Sequence, residues 1–456
     1  MSAMRQKTFK ASTRGGTGEA GTERSRGTEA PATWRNPERP TSTHCLMEEI
    51  CERENLKQAL KRVKANKGSP GVDGMTVAEL PDYLKDHWPT LKVQLMTGDY
   101  PPQPVRRVDM PKPDGGKRQL GIPSVVDRFI QQAVMQVLQR HIDPTFSDGS
   151  FGFRPNRSAH QAVERAQRYI AQGHRIVVDI DLKQFFDRVN HDVLMSRVAR
   201  RCADIRVLKL IRAYLNAGIM EGGLIQARTQ GTPQGGPLSP LLSNLLLDDL
   251  DRELERRHHC FVRYADDCNV YVKSERAGQR VMRSITCFLA RKLKLTVNEE
   301  KSAVATPKAR AFLGFSFTGE ETPRRRIAPQ AIMRFKNKVR ECTRRTRGIS
   351  LEQMMQQLAR YLVGWRNYFA FCETPSTLRD LDKWVRRRLR SVIWKQWKRG
   401  RTRYAQLRRH GVGNDLAAQT AGSPHGPWRL SASPALSMAL PNAYFKSLGL
   451  PSLAPA

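Results

Sequence analysis

Two adjacent aspartates, Asp266 and Asp267, stand in the middle of FVRYADDCNVYV, residues 261–272, between two short runs of aromatic and β-branched residues. Such runs favour a pleated, half-buried surface, and the ADDC break between them is turn-like, so the stretch predicts a hairpin with an acidic tip. Neighbouring carboxylates repel each other unless a cation lies between them. The chemistry on offer is therefore divalent-metal binding, and the alternative is a solvated acidic loop. A second acidic strand lies upstream: in RIVVDIDL, residues 175–182, the alternation of a strand puts Asp179 and Asp181 on one face. An unpaired carboxylate on a sheet face is costly, so one of the two is expected to bind a cation.

Phosphate-binding residue types occur in the elements that must surround these strands. Residues 105–122, VRRVDMPKPDGGKRQLGI, read as two strands joined by the turn PDGG, with Arg106, Arg107, Lys112, Lys117 and Arg118 around it. This is either a phosphate-contacting finger or a plain surface turn. In FGFRPNRSAHQAVERAQRYI, Arg154 and Arg157 precede a helix capped by Ser158; their forked guanidinium groups suit phosphate oxygens but are as often solvated or salt-bridged. KQFFDRVNHDVL leads into a helix capped near Asn190, with Phe185 and Phe186 most simply core and Asp187 a turn or capping residue. QGTPQGGPLSPLLSNLLLDDLDREL joins a glycine-rich loop, either able to approach a ligand closely or simply a tight connection, to a largely buried leucine-rich helix.

Farther out, MEEICERENLKQALKRVKANKG predicts one helix with Ile50, Leu56, Leu60 and Val63 as its apolar stripe and Gly68 as its stop. RAGQRVMRSITCFLARKLKLTVNEEKS predicts a helix followed by a strand, and AFLGFSF another strand. From about Arg324 strand patterns vanish and Lys and Arg become dense, as expected of a second, helical domain. Met354, Leu358, Tyr361, Leu362 and Trp365 share one helical face, as do Leu381, Val385 and Leu389. Trp394, Trp397 and Tyr404 stand among cations, where they either join the core or stack on RNA bases. Arg386, Arg387 and Arg388 form a basic patch, and the last stretch, residues 424–453, reads as loop-like but apolar enough to pack on the body.

The chain has 456 residues, too many for one ordinary core, and carries 78 Lys and Arg against 43 acidic residues, a formal charge of +35. That excess is spread along the sequence. It suits phosphate neutralisation by a nucleic-acid-binding protein better than a membrane-surface segment. Eight cysteines show no CxxC pair, which argues against a zinc site or a disulfide framework. No apolar run is long enough to span a bilayer and no signal peptide is legible, so a cytoplasmic location with reduced cysteines is expected.

Taken in order, SPGVDG, RRVDMPKPDGGKRQLGIP, FGFRPNRSAHQA, DLKQFFDRVNHDVL, GTPQGGPLSPLLSN, RYADD, LTVNEEKS and AFLGF resemble the successive polymerase motifs of the reverse transcriptases encoded by bacterial group II introns. The resemblance runs from about Leu46 to Leu453. It implies an α+β fold: a right-hand polymerase, with fingers and palm built on antiparallel sheet, followed by a helical thumb/maturase domain. The implied boundaries are a disordered tail at 1–42, fingers at 43–172, palm at 173–323, thumb/maturase (X) domain at 324–410 and a C-terminal extension packed on the body at 411–456.

The resemblance also implies roles. Asp181, Asp266 and Asp267 match the metal-binding aspartates, Asp179 falling outside the motif core. Lys112 and Arg118 match residues that contact the incoming triphosphate, Phe186 the aromatic that blocks a ribose 2′-hydroxyl, Gln234 the glutamine of the nucleotide pocket and Tyr264 the tyrosine of the YxDD box. Two Mg²⁺ ions, with Mn²⁺ as a substitute, are the implied cofactors for nucleotidyl transfer. The implied partners are group II intron RNA, an RNA template with a DNA primer, and deoxynucleoside triphosphates, with no membrane. Larger members carry a nuclease domain with cysteine-based metal ligands, and the chain resembles the compact subgroup without it. The rival expectation is a non-catalytic RNA-binding splicing factor. Reverse transcriptases of retrons, diversity-generating elements and defence systems share the palm, but PQGGPLSP and the basic thumb favour the intron group.

Overall fold

The computed structural model describes residues 43–111, 117–221, 224–226, 230–232, 235–344 and 347–454. The tail expected at 1–42 lies outside the described residues, as do Lys112 and Gln234.

The first part holds helices α1 (Leu46–Ile50), α2 (Arg53–Asn66) and α3 (Leu80–Thr97), strands β1 (Val105–Pro111) and β2 (Lys117–Ile122), and helices α4 (Val125–Ile142) and α5 (Ala159–Ala171). The single helix expected from Leu46 is two, because Glu52 is extended (φ −65°, ψ 139°). The Asn55 amide donates to the freed carbonyl of Ile50 at 2.9 Å and to Ala133 of α4 at 3.2 Å, so the break is satisfied and both pieces pack on α4. β1 and β2 form the expected antiparallel hairpin, from Arg106↔Ile122 to Pro111↔Lys117. Ser158 caps α5 in a full capping box with Gln161.

Next come β3 (Ile176–Ile180), α6 (Phe185–Arg188), α7 (His191–Arg201), α8 (Ile205–Asn216), β4 (Ile219–Glu221), β5 (Leu224–Gln226), α9 (Ser239–Arg256), β6 (Cys260–Tyr264), β7 (Asp267–Val272), α10 (Glu275–Phe288), β8 (Ala303–Ala305) and β9 (Phe315–Phe317). One sheet runs β2-β1-β4-β5, its β1–β4 ladder parallel; the other runs β6-β7-β3-β8 and is antiparallel throughout. In the second sheet Val178, Ile180, Cys268, Val270 and Val272 join the core that holds α9 and α10, whereas Val177, Val262 and Tyr271 join the cluster of α5. The strand expected within LKLTVNE is a single bridge, Leu182 to Val297, and β8 starts later.

Strand structure continues past Arg324 for one short element, β10 (Arg325–Ile327), because its backbone completes a ladder with β9. Helices α11 (Pro329–Cys342), α12 (Leu351–Phe369), α13 (Pro375–Gln396), α14 (Gly400–Arg409), α15 (Asn414–Ala421), α16 (Pro427–Leu430), α17 (Pro434–Ala439) and α18 (Asn442–Ser447) follow. The stretch read as loop-like is thus largely helical, and Leu430, Leu436, Phe445 and Leu453 enter the core built by Phe335, Leu358, Trp365 and Leu389. Trp394 is 0% exposed in that core, which removes it as a base-stacking residue. Trp397 is partly buried against it, and Tyr404 stays at the surface. The arginines of the patch expected at Arg386, Arg387 and Arg388 are half-buried and each engages a neighbour: Arg386 lies 3.6 Å from Asp382, Arg387 stacks on Trp428 at 4.3 Å, and Arg388 donates to Thr343 at 3.0 Å. Among the described residues no helix is long and apolar enough to cross a membrane.

Candidate active site

The last rung of the β3–β7 ladder is Ile180↔Cys268, so the next residues outward, Asp181 and Asp267, face each other across the two strands. Facing residues in an antiparallel pair bring their Cβ atoms to about 4.5–5.5 Å, where like charges are destabilising. Across the β6–β7 hairpin Tyr264 pairs with Asp267, leaving Ala265 and Asp266 as its two-residue connection, with Ala265 left-handed at φ 58°. The hairpin with an acidic tip is therefore present, and a third carboxylate, Asp266, lies on its turn.

Among the described residues neither Asp181 nor Asp267 has a salt bridge. Burial, then repulsion from Asp266, Asp179 and Asp181, pushes the Asp267 carboxyl up to about 7, with Lys301 opposing. The residue is solvent-exposed, so water screens much of the burial effect and the crowding of like charge is the durable cause. Asp179 is different. Arg310 donates to its carboxylate at 2.8 and 2.6 Å, and the Asn269 amide, turned so that its nitrogen faces Asp179, donates at 3.0 Å. Burial pushes the Asp179 carboxyl up and Arg310 pulls it back. Of the two aspartates on one strand face, one is neutralised by Arg310 and the other has no salt bridge among the described residues.

The acidic turn is held from behind by a residue the sequence reading passed over. Arg263 is wholly buried and donates to both Asp251 carboxylate oxygens at 2.7 and 2.6 Å, to Asn244 at 3.0 Å, to the Ala265 carbonyl at 2.8 Å and to Ser150 at 2.9 Å. Desolvation works against the Arg263 charge, but Asp251 more than offsets it and the guanidinium pKa ends up raised. Gly152 lies against the same turn; a Cβ there would come within 2.2 Å of the Ala265 nitrogen. The sequence did hold a signal: an arginine in the inward register of an apolar strand, and Asp251 on the buried face of a leucine-rich helix, each require a partner.

The Asp181 backbone is fixed on the other side, its N–H donating to Ser302 Oγ at 3.0 Å and its carbonyl accepting from Asn298 at 2.8 Å. Phe186, half-buried on α6 and edge-on to Phe185 at 5.2 Å, offers its carbonyl to the Thr232 N–H at 2.7 Å. Gly231 has φ +88°, and a Cβ there would come within 2.8 Å of the Asp187 carbonyl; a Cβ on Gly235 would come as close to the Gly121 carbonyl of β2. Gly231 and Gly235 are thus pressed against the backbone of α6 and of the β1–β2 hairpin, which accounts for these glycines as a tight connection. Arg118 sits in β2 opposite Met110.

Arg154 and Arg157 take the structural alternative. Arg154 is 9% exposed and donates to Asp143 at 2.9 Å and to the carbonyls of Ser147 and Ser150 at 2.6 and 3.0 Å; Arg157 pairs with Asp148 at 2.7 Å.

Hard carboxylate oxygens suit Mg²⁺, and a facing pair with no salt bridge among the described residues fits a divalent ion. Among the described residues no three His, Cys, Asp or Glu side chains converge into a complete cage. Mg²⁺ is ordinarily held by one or two carboxylates and completed by water and substrate phosphates, so an open arrangement is consistent with that ion.

A family model described as reverse transcriptase (RNA-dependent DNA polymerase) matches residues 110–317, and one described as group II intron, maturase-specific domain matches residues 332–411. Protein YkfC of Escherichia coli (strain K12) is 32% identical over 336 residues, covering 65% of this chain and 87% of that protein. Group II intron-encoded protein LtrA of Lactococcus lactis subsp. cremoris is 31% identical over 287 residues, and the alignment spans about half of each, 48%. A solved telomerase from Candida albicans shows a looser likeness, with 13% identity and a TM-score of 0.41, covering 65% of this chain and 60% of that one. With a polymerase model and a maturase model matching in succession, and a relative matched over most of its length, the chain belongs to the family of group II intron reverse transcriptases that carry a maturase domain.

Proposed function

We propose that this protein extends a DNA primer on an RNA template, with Asp181, Asp266 and Asp267 as ligands of divalent cations, Mg²⁺ foremost and Mn²⁺ as a substitute. The observation that carries the reading is the facing pair Asp181 and Asp267, free of salt bridges among the described residues, with a third carboxylate on the adjoining turn. Two bound cations supply charge stabilisation at the attacking and leaving oxygens. The protein's own share is to hold the carboxylates still, through Arg263 behind the turn and Ser302 beside Asp181. Lys112 and Arg118 neutralise the triphosphate of a deoxynucleotide, Gln234 and Tyr264 shape the nucleotide pocket, and Phe186 screens out a 2′-hydroxyl. Residues 43–172, 173–323 and 324–410 then serve as fingers, palm and thumb, with 411–456 as an extension.

The same protein binds group II intron RNA and assists its splicing. Lys395, Lys398, Arg399 and Arg401 are exposed beside Tyr404, without salt bridges among the described residues, and form the surface for phosphate contact. Extension of a labelled DNA primer on an RNA template, with and without chelation of Mg²⁺, tests the catalytic reading. Metal-dependent extension supports it; folded protein that binds RNA and does not extend would favour the splicing factor without polymerase activity. In the same assay Phe186→Val should raise ribonucleotide use by on the order of tenfold, and an unchanged ratio would return Phe186 to a packing role.

A further inference from the structure

Nine non-glycine residues among those described have a positive φ. Lys67 and Lys294 close helical segments in the left-handed conformation, and Leu313 is partly buried against a core cluster. Phe153, at φ 59°, is the one aromatic among them, and it is 48% exposed. Packing does not explain a ring that stands in solvent, and glycine would hold the same backbone at lower cost. Strain of this kind accumulates where a side chain meets a ligand.

The backbone beneath the ring is fixed from several directions. Gly152 lies against Ala265, the residue before Asp266, and its carbonyl accepts from Asn244 at 2.8 Å. The Phe153 carbonyl accepts from Gln139 at 3.4 Å, and Arg154 ties the next residue to Asp143, Ser147 and Ser150. Gln139 also lines a groove of roughly 360 Å³ with Arg62, Arg140, Pro155 and Asp143, whose carboxylate Arg154 holds. Arg62 is exposed and has no salt bridge among the described residues, whereas Arg140 lies 3.8 Å from Glu49. A rigid, exposed aromatic at the edge of the acidic turn adjoins a groove able to follow a phosphate backbone.

We propose that Phe153 is a stacking platform for an unpaired base of the template strand, whose phosphates follow the Arg62 and Arg140 groove toward the acidic turn. The inference rests on the polymerase reading, which supplies a template. A flat ring accepts any base, so the contact is indifferent to sequence.

The test compares binding of two RNA–DNA hybrids, one blunt and one with a single-stranded RNA overhang, to wild type, Phe153→Ala and Phe153→Trp. Phe153→Ala should weaken overhang binding by about tenfold, leave the blunt hybrid unchanged and keep the thermal midpoint, while Phe153→Trp should restore overhang binding. Equal binding by wild type and Phe153→Ala, or an equal loss on both hybrids, overturns the proposal. A rise in the nucleotide KM of Phe153→Ala at saturating template, with unaltered overhang binding, also overturns it by assigning the ring to the incoming nucleotide. Binding is read without turnover, so a wild type that fails to extend sinks the polymerase reading independently of this comparison.

Discussion

Behind the β6–β7 hairpin, on the α9 side, Asp251 is wholly buried and takes two hydrogen bonds from Arg263; at the open end of the sheet, Asp181 and Asp267 face each other with no salt bridge among the described residues. Both regions gather aspartates close to one turn. In the first, the protein supplies the countercharge through a salt bridge and the result is a fixed scaffold; in the second no salt bridge is made among the described residues, and Lys301 acts on Asp267 only from a distance. Asp179 shows the boundary between them, since it lies two residues from Asp181 on the same strand face yet is matched by Arg310. Burial does not separate Asp179 from Asp181, since both are half-buried. Charge balance does.

The comparison is broken most directly at the open end. Asp267→Asn should reduce primer extension by roughly a thousandfold or more while leaving the thermal midpoint of the metal-free protein no lower, because a repulsion has been removed. Single-nucleotide incorporation and melting on the same preparation check both halves, and retained extension would dissolve the distinction. At the sealed side, Arg263→Met strands a buried carboxylate and should cost about 3–5 kcal/mol in denaturant unfolding. Replacing Asp251 by Leu in that background should recover most of the loss; a double variant as unstable as the single one would mean that the pair is not a balanced unit.

A third test uses cations that the protein leaves unmatched. Neutralising Lys395, Lys398, Arg399 and Arg401 should make RNA affinity fall less steeply with salt, by about 0.7 in the log–log slope for each phosphate that the protein no longer neutralises. A titration across salt concentrations measures it, and an unaltered slope would move the RNA surface elsewhere.

The smallest effect concerns Asp127, which sharpens the comparison because it is buried with hydrogen bonds and no cation. It accepts from the Tyr100 hydroxyl at 2.9 Å, the Ser124 hydroxyl at 2.8 Å and the Gln103 N–H at 3.1 Å. Burial pushes its carboxyl up to about 6 despite these bonds. A pKa raised on folding, from about 3.9 in the unfolded chain, contributes stability that is complete below the unfolded value and is lost as pH rises through the folded one. Wild type should therefore lose on the order of 1–2 kcal/mol between about pH 4 and pH 7 relative to Asp127→Asn. Parallel stability curves for the two proteins would show that the site does not titrate in that window.

Much of the local architecture was legible because it depends on residues a few positions apart. The β1–β2 and β6–β7 hairpins, the caps at Ser158 and Asn190 and the apolar faces of α12 and α13 all follow from periodicity, turn chemistry and side chains that bond their own segment. The break at Glu52 was not legible, since its compensation comes partly from Ala133 on another helix. Nor was the fate of Trp394, whose setting among cations hides a neighbourhood assembled from the last turns of the chain.

By itself the sequence determined that Asp181, Asp266 and Asp267 would stand at strand ends, that the chain would carry a large positive excess, and that its motifs would follow one order. Only the tertiary structure decided which charges are satisfied. Arg310 lies 131 residues from the Asp179 it neutralises, and Arg263 lies 113 residues from the Ser150 it helps hold. Local propensity acts over a turn or a strand, whereas charge compensation acts through space, and only folding sets which distant residues share that space.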